Sequence, residues 1–215
     1  MLSKISLRTI TRAAALIMKG GLVAYPTDTV YGLGCDPLNE RAVQRLVRAK
    51  KRQQGRLPLL VDTFGKAEEI GWFDEVARKL ARKFWPGPLT IVVPSRTRLP
   101  EYITGATDTV GLRIPAREDT IALIRACAGA IVGTSANISG NASTISASDV
   151  MRQLGGQVDL ILDGGTTRSG TESSVVRVEG GRVSILRSKA IANSRIFSLQ
   201  YKTGPELSRV LKALC

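Results

Sequence analysis

The sequence predicts a single α/β domain built on a twisted sheet of mixed parallel and antiparallel strands that is covered by helices. Short apolar strand segments alternate with amphipathic helical segments along most of the 215 residues, a pattern typical of strands joined by helices. The last two strand segments flank Glu179-Gly180-Gly181-Arg182, which is typical of a hairpin, so at least one strand pair is antiparallel. With 43% hydrophobic and 23% charged residues, the composition is that of a globular protein.

The elements predicted in the first half begin with an amphipathic helix that Gly20-Gly21 ends. Its basic, acid-free sequence resembles a transit peptide, but its direct connection to the first strand favours a helix of the fold. Asn39 is a helix-capping residue type, and Pro86 stops the last helical stretch. In chain order the predicted elements are helix 6–19, strand 22–26, a glycine-containing loop to Pro37, helix 40–51, strand Leu57–Val61, and helical stretches 65–70 and 74–84.

The second half continues with apolar strands and ends in the hairpin. Its predicted elements are strands Leu89–Val93 and Thr109–Ile114, helix 118–128, strand Ala130–Val132, helix 148–154, and strands Val158–Leu162, Val175–Val178 and Val183–Leu186. The strand pattern is lost after Ile191. We therefore predict one domain over residues 1–191 and a short tail over residues 192–215, in which Glu206 to Leu214 has the pattern of a short helix.

The chain is strongly basic. It contains 31 Lys and Arg residues against 18 Asp and Glu, which gives a formal net charge of +13 and a pI near 10.2. A surplus of this size favours polyanionic partners such as nucleic acids and nucleotides, so we expect a concave basic cleft. A generally basic, solvated surface without a dedicated partner is the alternative interpretation.

The absence of histidine and the wide separation of the cysteines exclude several kinds of catalytic and metal site. The chain has no histidine, which excludes Ser-His-Asp and Cys-His catalysis and histidine-ligated metal sites. Its cysteines, Cys35, Cys127 and Cys215, form no C-x-x-C pair, so we predict no metal held by the protein, no disulfide framework and a cytoplasmic location. No apolar run reaches the roughly 20 residues of a membrane span, so no membrane partner is expected.

Four tracts rich in glycine, hydroxyls or basic side chains lie at the ends of predicted elements, where α/β sheets bind their ligands. They are Tyr25 to Gly34, Arg48 to Arg52, Gly133 to Gly140, and Gly170 to Ser174 together with Leu186-Arg187. The third has the composition of a loop that binds phosphate through backbone N–H groups and hydroxyls, although the sequence contains no P-loop motif. A plain strand-to-loop exit is the alternative for the first tract, and spacing alone names no ligand.

The second tract ends helix 40–51, where basic residues recur at a spacing that places them on one face, namely Arg41, Arg45, Arg48 and Arg52. Like charges at this spacing cost a few tenths of a kcal/mol each, so their presence indicates that an anion binds there. The helix dipole also favours cations near a helix C-terminus, so a solvated basic face is the alternative.

Together, and in this order, the tracts resemble the YrdC-type domain of the threonylcarbamoyl-AMP synthase family, in the short form without an extra C-terminal domain. The likeness runs from about Leu16 to Ile191. The segments that carry it are LVAYPTDTVYGLG, Lys50-x-Arg52, FWPGPLT, TVGLRIP, Ser135-x-Asn137, SSVV and a closing ILR.

The resemblance implies a nucleotidyltransferase that makes L-threonylcarbamoyladenylate from L-threonine, bicarbonate or CO2, and ATP, with release of pyrophosphate. It also implies that a partner complex passes the threonylcarbamoyl group to the adenosine beside the anticodon of certain tRNAs. The threonine amine would attack CO2, and the carbamate would attack the α-phosphorus. Such chemistry needs orientation and charge neutralisation more than a side-chain nucleophile, so it does not require histidine. Mg2+ is expected with the phosphates, with few protein ligands.

Carried over position by position, the resemblance implies an ATP site made of Lys50, Arg52, Thr109, Ser135, Asn137, Ser143 and Arg187. Lys50 and Arg52, the implied catalytic residues, would hold phosphate oxygens, and we expect both to face solvent. Arg187 would close on the nucleotide from the hairpin. The Ser135-x-Asn137 motif would bind the triphosphate or carbamate, while Ser143 and Thr109 would bound the nucleotide pocket.

The same comparison implies that Thr27, Arg113 and Ser173 bind threonine, with Arg113 as a fork for its carboxylate. The sequence departs from the family pattern at Gln53, which follows the Lys-x-Arg pair in place of proline. It also departs at Arg177, where aspartate is common, and at Ser188-Lys189 in the closing L-R-P-G-A-I motif. None of these departures removes an implied ligand.

Two other functions are compatible with the sequence. The first is a non-catalytic module that binds double-stranded RNA or tRNA on the same fold, which the net charge favours because phosphate contacts dominate nucleic-acid affinity. The aromatic residues, however, are few and show no stacking pattern. The second is a carbamoyl-adenylate enzyme with another acceptor, because related domains occur in carbamoyl-transfer proteins of hydrogenase maturation.

Overall fold

A computed structural model describes residues 1–52, 56–105 and 107–200. Its strands are β1 (Leu2–Lys4), β2 (Val23–Tyr25), β3 (Gly32–Gly34), β4 (Leu59–Val61), β5 (Leu89–Pro94), β6 (Thr109–Arg113), β7 (Ala130–Val132), β8 (Thr134–Ser135), β9 (Leu160–Asp163), β10 (Ser174–Glu179) and β11 (Arg182–Arg187). Its helices are α1 (Leu7–Met18), α2 (Glu40–Ala49), α3 (Phe64–Ile70), α4 (Glu75–Phe84), α5 (Glu101–Thr104), α6 (Glu118–Ala126), α7 (Ala147–Leu154) and α8 (Asn193–Gln200).

The strands form two sheets with helices packed against them, which confirms the predicted mixed α/β class. One sheet has the order β1-β9-β2-β3-β8 and the other the order β11-β10-β5-β6-β4-β7. Both sheets contain parallel pairs, such as β2 with β9 and β5 with β10, and antiparallel pairs, such as β2 with β3 and β10 with β11. The sequence predicted one sheet, and the division into two is the main difference in architecture.

At Gly133 the chain passes from one sheet directly into the other, as it also does, over longer connections, between β3 and β4 and between β9 and β10. The strands on either side of this residue, β7 and β8, are consecutive in sequence but belong to different sheets. A Cβ atom on Gly133 would come within 2.3 Å of the Leu60 side chain, so the close packing at this crossing requires glycine. The crossing places the loop after Gly133 between the two sheets.

Strand β3 lies where the sequence predicted a loop. Its two glycines flank the buried ring of Tyr25, and a Cβ atom on Gly32 or Gly34 would come within 2.8 Å of that ring. The glycines therefore make room for an aromatic side chain within a strand, rather than mark a turn. Strand β3 pairs antiparallel with β2 and with β8, and so connects the first tract to the third.

Most of the other predicted elements are confirmed with small shifts at their ends. Ser6 caps α1 and Asn39 caps α2, and β10 and β11 form the predicted hairpin. Elements that lacked a sequence signal are short or terminal, namely β1, α5, β8 and α8. In the described part of the chain, no helix combines the length and apolar composition that would be required to cross a bilayer.

Residues after Ile191 continue into a helix that packs on the domain. Helix α8 contacts α4 and β11, and its Ile196 side chain is fully buried. The link from β11 is held by Ser174, whose Oγ accepts hydrogen bonds from the backbone N–H of Lys189 (3.1 Å) and of Ile191 (2.9 Å). The boundary at residue 191 stays a prediction, and the helix predicted from Glu206 to Leu214 lies outside the described residues.

Candidate active site

A cavity of about 720 Å³ lies between the two sheets. Residues from all four tracts line it, along with the inner ends of β5 and β6. Six lining residues are cationic, and one lining residue of the described chain, Glu172, is acidic. The cations are Lys50, Arg52, Arg56, Arg113, Arg187 and Lys189. A cavity with this lining favours an anionic ligand of small-molecule size.

Arg113 is held on one side of the cavity by a buried ion pair. Its Nη2 lies 2.6 Å from Asp28 Oδ1, its Nη1 donates to Thr29 Oγ1 (3.1 Å), and its Nε donates to the carbonyl of Gly87 (2.9 Å). A guanidinium has five N–H groups, so one N–H on Nη1 and one on Nη2 remain available. Burial lowers the pKa of Arg113, and Asp28 opposes that effect. The arrangement fixes a charged fork at the cavity wall.

Thr27 lies in the same wall, but its hydroxyl is already engaged within its own loop. Its Oγ1 donates to the carbonyl of Val30 (2.6 Å) and accepts from the backbone N–H of Thr29 (3.1 Å). The Thr29 hydroxyl lies 2.9 Å from Thr27 Oγ1 and is its third hydrogen-bonding neighbour. A direct contact between Thr27 and bound threonine therefore requires an exchange of these bonds, while the loop's shape depends on them.

Lys50 is buried rather than solvent-facing, so the expectation of an exposed side chain was wrong. Only 2% of the residue is exposed, and its ammonium donates to the carbonyls of Ser135 and Asn137 (2.8 Å for the latter). Helix α2 ends at Ala49, and Lys51 adopts a left-handed backbone (φ 50°), which turns the chain inward. Lys50 thus fastens the Ser135-x-Asn137 loop to the end of α2.

Burial lowers the pKa of Lys50 to about 8, and Arg52 adds to the effect while Glu172 opposes it. A bound phosphate favours the charged form, so affinity for ATP should be full below pH 8 and should fall as the pH rises through that value. Calorimetric titration with MgATP from pH 7.5 to 9.5 measures this, since phosphate is fully ionised over the range. Lys50→Arg keeps its charge throughout and should show a flat profile. A flat profile for the natural protein would contradict the prediction.

The basic face predicted along helix 40–51 is not a single anion site. Arg45 forms two hydrogen bonds with the carboxylate of Asp159 (2.7 and 2.8 Å), which tie α2 to the start of β9. Arg52 lies beyond the end of the helix and lines the cavity, where burial and then Arg187 lower its pKa. The spacing of the four arginines predicted a shared face only on the assumption that the helix continues to residue 51, whereas α2 ends at Ala49.

Arg56 is a lining residue that the sequence analysis did not propose. Its Nη1 donates to Thr109 Oγ1 (3.1 Å), and its carbonyl accepts from Arg52 Nη2 (3.1 Å). Thr109 itself does not line the cavity. Its role at the nucleotide pocket stays a prediction, and Thr109 would act there through its hydrogen bond with Arg56. The signal was available in sequence, because Arg56 is a basic residue just before a buried strand.

Arg187, at the end of β11, is fixed by the loop before β10. Its Nε donates to the carbonyl of Ser173 (2.9 Å), its Nη2 donates to Ser173 Oγ (3.1 Å), and its Nη1 lies 3.2 Å from Glu172 Oε2. Ser173 Oγ also lies 3.0 Å from Thr90 Oγ1, on β5. Ser173, implied as a threonine contact, therefore touches Arg187, implied as a nucleotide contact. The two predicted subsites meet here.

Comparison with known proteins places the chain in a family. The model of the Sua5/YciO/YrdC family, which is described as telomere recombination, matches residues 15–189. The chain belongs to the Sua5/YrdC family. The threonylcarbamoyl-AMP synthase of Pyrococcus abyssi is 45% identical over 167 residues, which are 76% of this chain and 49% of that protein. The threonylcarbamoyl-AMP synthase of Thiobacillus denitrificans is 37% identical over 171 residues, 79% of this chain and 90% of that protein.

Solved structures of the Sua5/YrdC family share the fold. The crystal structure of P. abyssi Sua5 complexed with L-threonine superimposes with a TM-score of 0.87 and 39% identity, and covers 93% of this chain and 59% of that one. The chain thus spans about half the length of the P. abyssi relative and most of the bacterial one.

The structure brings nine of the ten predicted site residues to one cavity, with Thr109 behind its wall. The ligand that each residue binds stays a prediction. Residues that line the cavity or hold its charged groups, but were not proposed, are Asp28, Thr29, Arg56, Thr90, Glu172 and Lys189. Lys189 stands where the YrdC-type pattern has glycine, so this departure adds a charge to the lining. Gln53 lies outside the described residues.

Proposed function

We propose that the chain is an L-threonylcarbamoyladenylate synthase, a nucleotidyltransferase that joins L-threonine, bicarbonate or CO2, and ATP and releases pyrophosphate. The observation that supports it most is the pair of fixed arginine forks, Arg113 and Arg187, that line one cavity together with Ser173. One fork suits an amino-acid carboxylate and the other a phosphate, and Ser173 contacts the second directly.

Threonine would bind through its carboxylate to the two available N–H groups of Arg113. The hydroxyls of Ser173 and Thr90 lie in the same lining and offer lone pairs to the ammonium or to the side-chain hydroxyl of the substrate. The ammonium must first lose a proton to solvent, and the neutral amine held in this way then lies next to the phosphate subsite. There its lone pair attacks CO2, and loss of a second proton to solvent gives the carbamate. Orientation of this kind accounts for much of the rate acceleration in reactions that lack a side-chain nucleophile.

The triphosphate would lie against Arg52, Arg187 and the loop that Lys50 holds. Burial lowers the pKa of both Arg52 and Arg113, and repulsion from Arg187 adds to the lowering at each, most clearly at Arg52. An anion that lies among them relieves this repulsion. The developing charge of the transition state, in which the carbamate oxygen attacks the α-phosphorus and pyrophosphate leaves, would be stabilised by the same groups.

Mg2+ would enter with ATP as part of the substrate. The described residues contain no cluster of three or more carboxylate or thiol side chains placed to hold a metal ion, and Glu172 is the acidic side chain in the described lining. The ion would therefore take most of its ligands from phosphate oxygens and water, as Mg2+ commonly does.

The product would be passed on to a tRNA threonylcarbamoyl-transfer complex for modification of the adenosine beside the anticodon. We place this activity in the cytoplasm, in keeping with the buried, unpaired cysteines Cys35 and Cys127. Direct binding of tRNA or double-stranded RNA would rest on the net charge of +13. Two arginine forks inside one cavity, of which Arg113 is buried, suit a small anion better than a nucleic-acid backbone.

The test combines purified protein with MgATP, L-threonine and labelled bicarbonate. We expect release of pyrophosphate and formation of a labelled adenylate, both dependent on L-threonine, with D-threonine as the matched control substrate. Labelled adenylate formed equally without threonine would favour another acceptor. Absence of product, together with tRNA binding whose affinity falls steeply with salt, would favour the non-catalytic RNA-binding module.

A further inference from the structure

Glu172 is an acidic residue in an otherwise cationic cavity wall, and none of the roles above uses it. Its two carboxylate oxygens reach in different directions. Oε1 accepts a hydrogen bond from Ser143 Oγ (3.1 Å), and Oε2 lies 3.2 Å from Nη1 of Arg187. Both partners are residues that the sequence assigned to the nucleotide site.

The contact with Ser143 sets the direction of that hydroxyl. An ionised carboxylate is an acceptor only, so Ser143 must donate its single O–H to Glu172. The Ser143 oxygen is then left with its lone pairs for a ligand. Glu172 thereby fixes which kind of group Ser143 can bind, which a free hydroxyl would leave open.

The contact with Arg187 completes the anchoring of a long side chain. Ser173 holds Nε and Nη2, and Glu172 holds Nη1, so that three of the five N–H groups have protein acceptors. One N–H on each terminal nitrogen stays available to a ligand. An unanchored arginine loses considerable side-chain freedom when it binds an anion, and this pre-organisation avoids part of that loss.

These contacts join three separate parts of the fold. Ser143 lies in the loop between β8 and α7, Glu172 in the loop between β9 and β10, and Arg187 at the end of β11. Strand β8 belongs to one sheet and β11 to the other, so the carboxylate connects the two walls of the cavity. A substitution of Glu172 should therefore alter the positions of side chains on both sides of the nucleotide site.

We infer that Glu172 is a positioning residue for nucleotide binding, which acts by fixing the Arg187 fork and the Ser143 hydroxyl across the cavity. The inference rests on the proposed nucleotide site. A carboxylate in this wall also repels phosphate, which is the opposing effect. The side chains of Glu172 and Arg187 are 24% and 40% exposed, so water screens both effects, but it weakens the longer-range repulsion of phosphate more than the direct 3.2 Å contact with Arg187.

The experiment is a double-mutant cycle on MgATP affinity, measured by calorimetry on the full chain. Glu172→Gln keeps the volume and an acceptor for Ser143 but removes the charge that holds Arg187. We expect it to weaken ATP binding about three- to tenfold in the natural background and less than about twofold in the Arg187→Ala background, because residues that act through each other are not additive. Glu172→Asp keeps the charge but shortens the side chain, so its affinity for MgATP should lie between those of the natural protein and of Glu172→Gln. Glu179→Gln, at the exposed end of β10 and outside the cavity, is the matched control.

Tighter ATP binding by Glu172→Gln would overturn the inference, as would an equal effect in both backgrounds. Thermal unfolding and circular dichroism establish that each variant is folded, and Glu172→Asp replaces Glu172→Gln in the cycle if the latter is not. ATP binding with the expected coupling, in a protein that makes no threonylcarbamoyladenylate, would refute the proposed function and leave this inference standing. Normal synthesis of the adenylate without coupling between Glu172 and Arg187 would support the proposed function and refute this inference. A natural chain that does not bind MgATP would overturn both the function and the inference.

Discussion

Replacing Arg113 with lysine should reduce threonine-dependent adenylate synthesis by about a hundredfold or more. Lysine keeps the positive charge, but a single ammonium cannot replace a fork that bonds Asp28, Thr29 and Gly87 and still offers two N–H groups to a substrate carboxylate. Loss of a bidentate, charge-assisted contact in a buried site costs about 3 kcal/mol, and each 1.36 kcal/mol is a factor of ten in rate.

The loss should concentrate on threonine. Because Arg113 is expected to contact the carboxylate of the amino acid and not the phosphates, KM for threonine should rise steeply while the Kd for MgATP measured without threonine changes little. Arg125→Lys, on an exposed residue that pairs with Asp62 away from the cavity, makes the same chemical change and should be neutral. Equal losses of affinity for ATP and threonine would show that Arg113 shapes the cavity and does not read the carboxylate.

The sequence predicted the fold class because that class depends on local patterns. Alternation of apolar strands with amphipathic helices is visible in any window, and the hairpin turn at Gly180-Gly181 has a local signature. Local patterns marked four tracts near the ends of elements but named no ligand, and the individual site residues came from the resemblance to the YrdC-type domain. The two-sheet division was not predictable in this way, because it depends on pairing and packing between residues distant in sequence, such as Gly133 against Leu60 at one crossing between the sheets.

The sequence could not predict which residues the charged side chains contact. Glu172 meets Ser143, 29 residues away, and Arg113 meets Asp28, 85 residues away, and no periodicity relates such positions. Their burial decides their chemistry, since a buried arginine must have an acceptor. Lys50 is the clearest case. As an implied phosphate contact it was expected to face solvent, while the end of α2 at Ala49 directs it inward.

That inward orientation changes what a substitution of Lys50 should do. Lys50→Met keeps the aliphatic stem and removes the ammonium, so the carbonyls of Ser135 and Asn137 lose their donor. Each unsatisfied buried carbonyl costs roughly 1–3 kcal/mol. The lowering of the Lys50 pKa from 10.5 to about 8 means that the fold disfavours the charged form by about 3 kcal/mol, and the substitution removes that cost. The two effects oppose, so the free energy of unfolding at pH 7 should fall by no more than about 3 kcal/mol.

Activity should respond far more than stability to Lys50→Met. The loop that carries Ser135 and Asn137 would lose its anchor to α2, and the phosphate subsite would lose a positive charge with little screening by water. A displacement of about 1 Å in such a site can cost a hundredfold in rate. We therefore expect synthesis to drop at least about a hundredfold in a protein that still unfolds cooperatively in urea. Lys51→Met, at the exposed neighbouring residue, makes the same change outside the cavity and should leave both properties intact. Full activity in Lys50→Met would mean that the loop holds its shape without the ammonium, and the buried charge would then need another explanation.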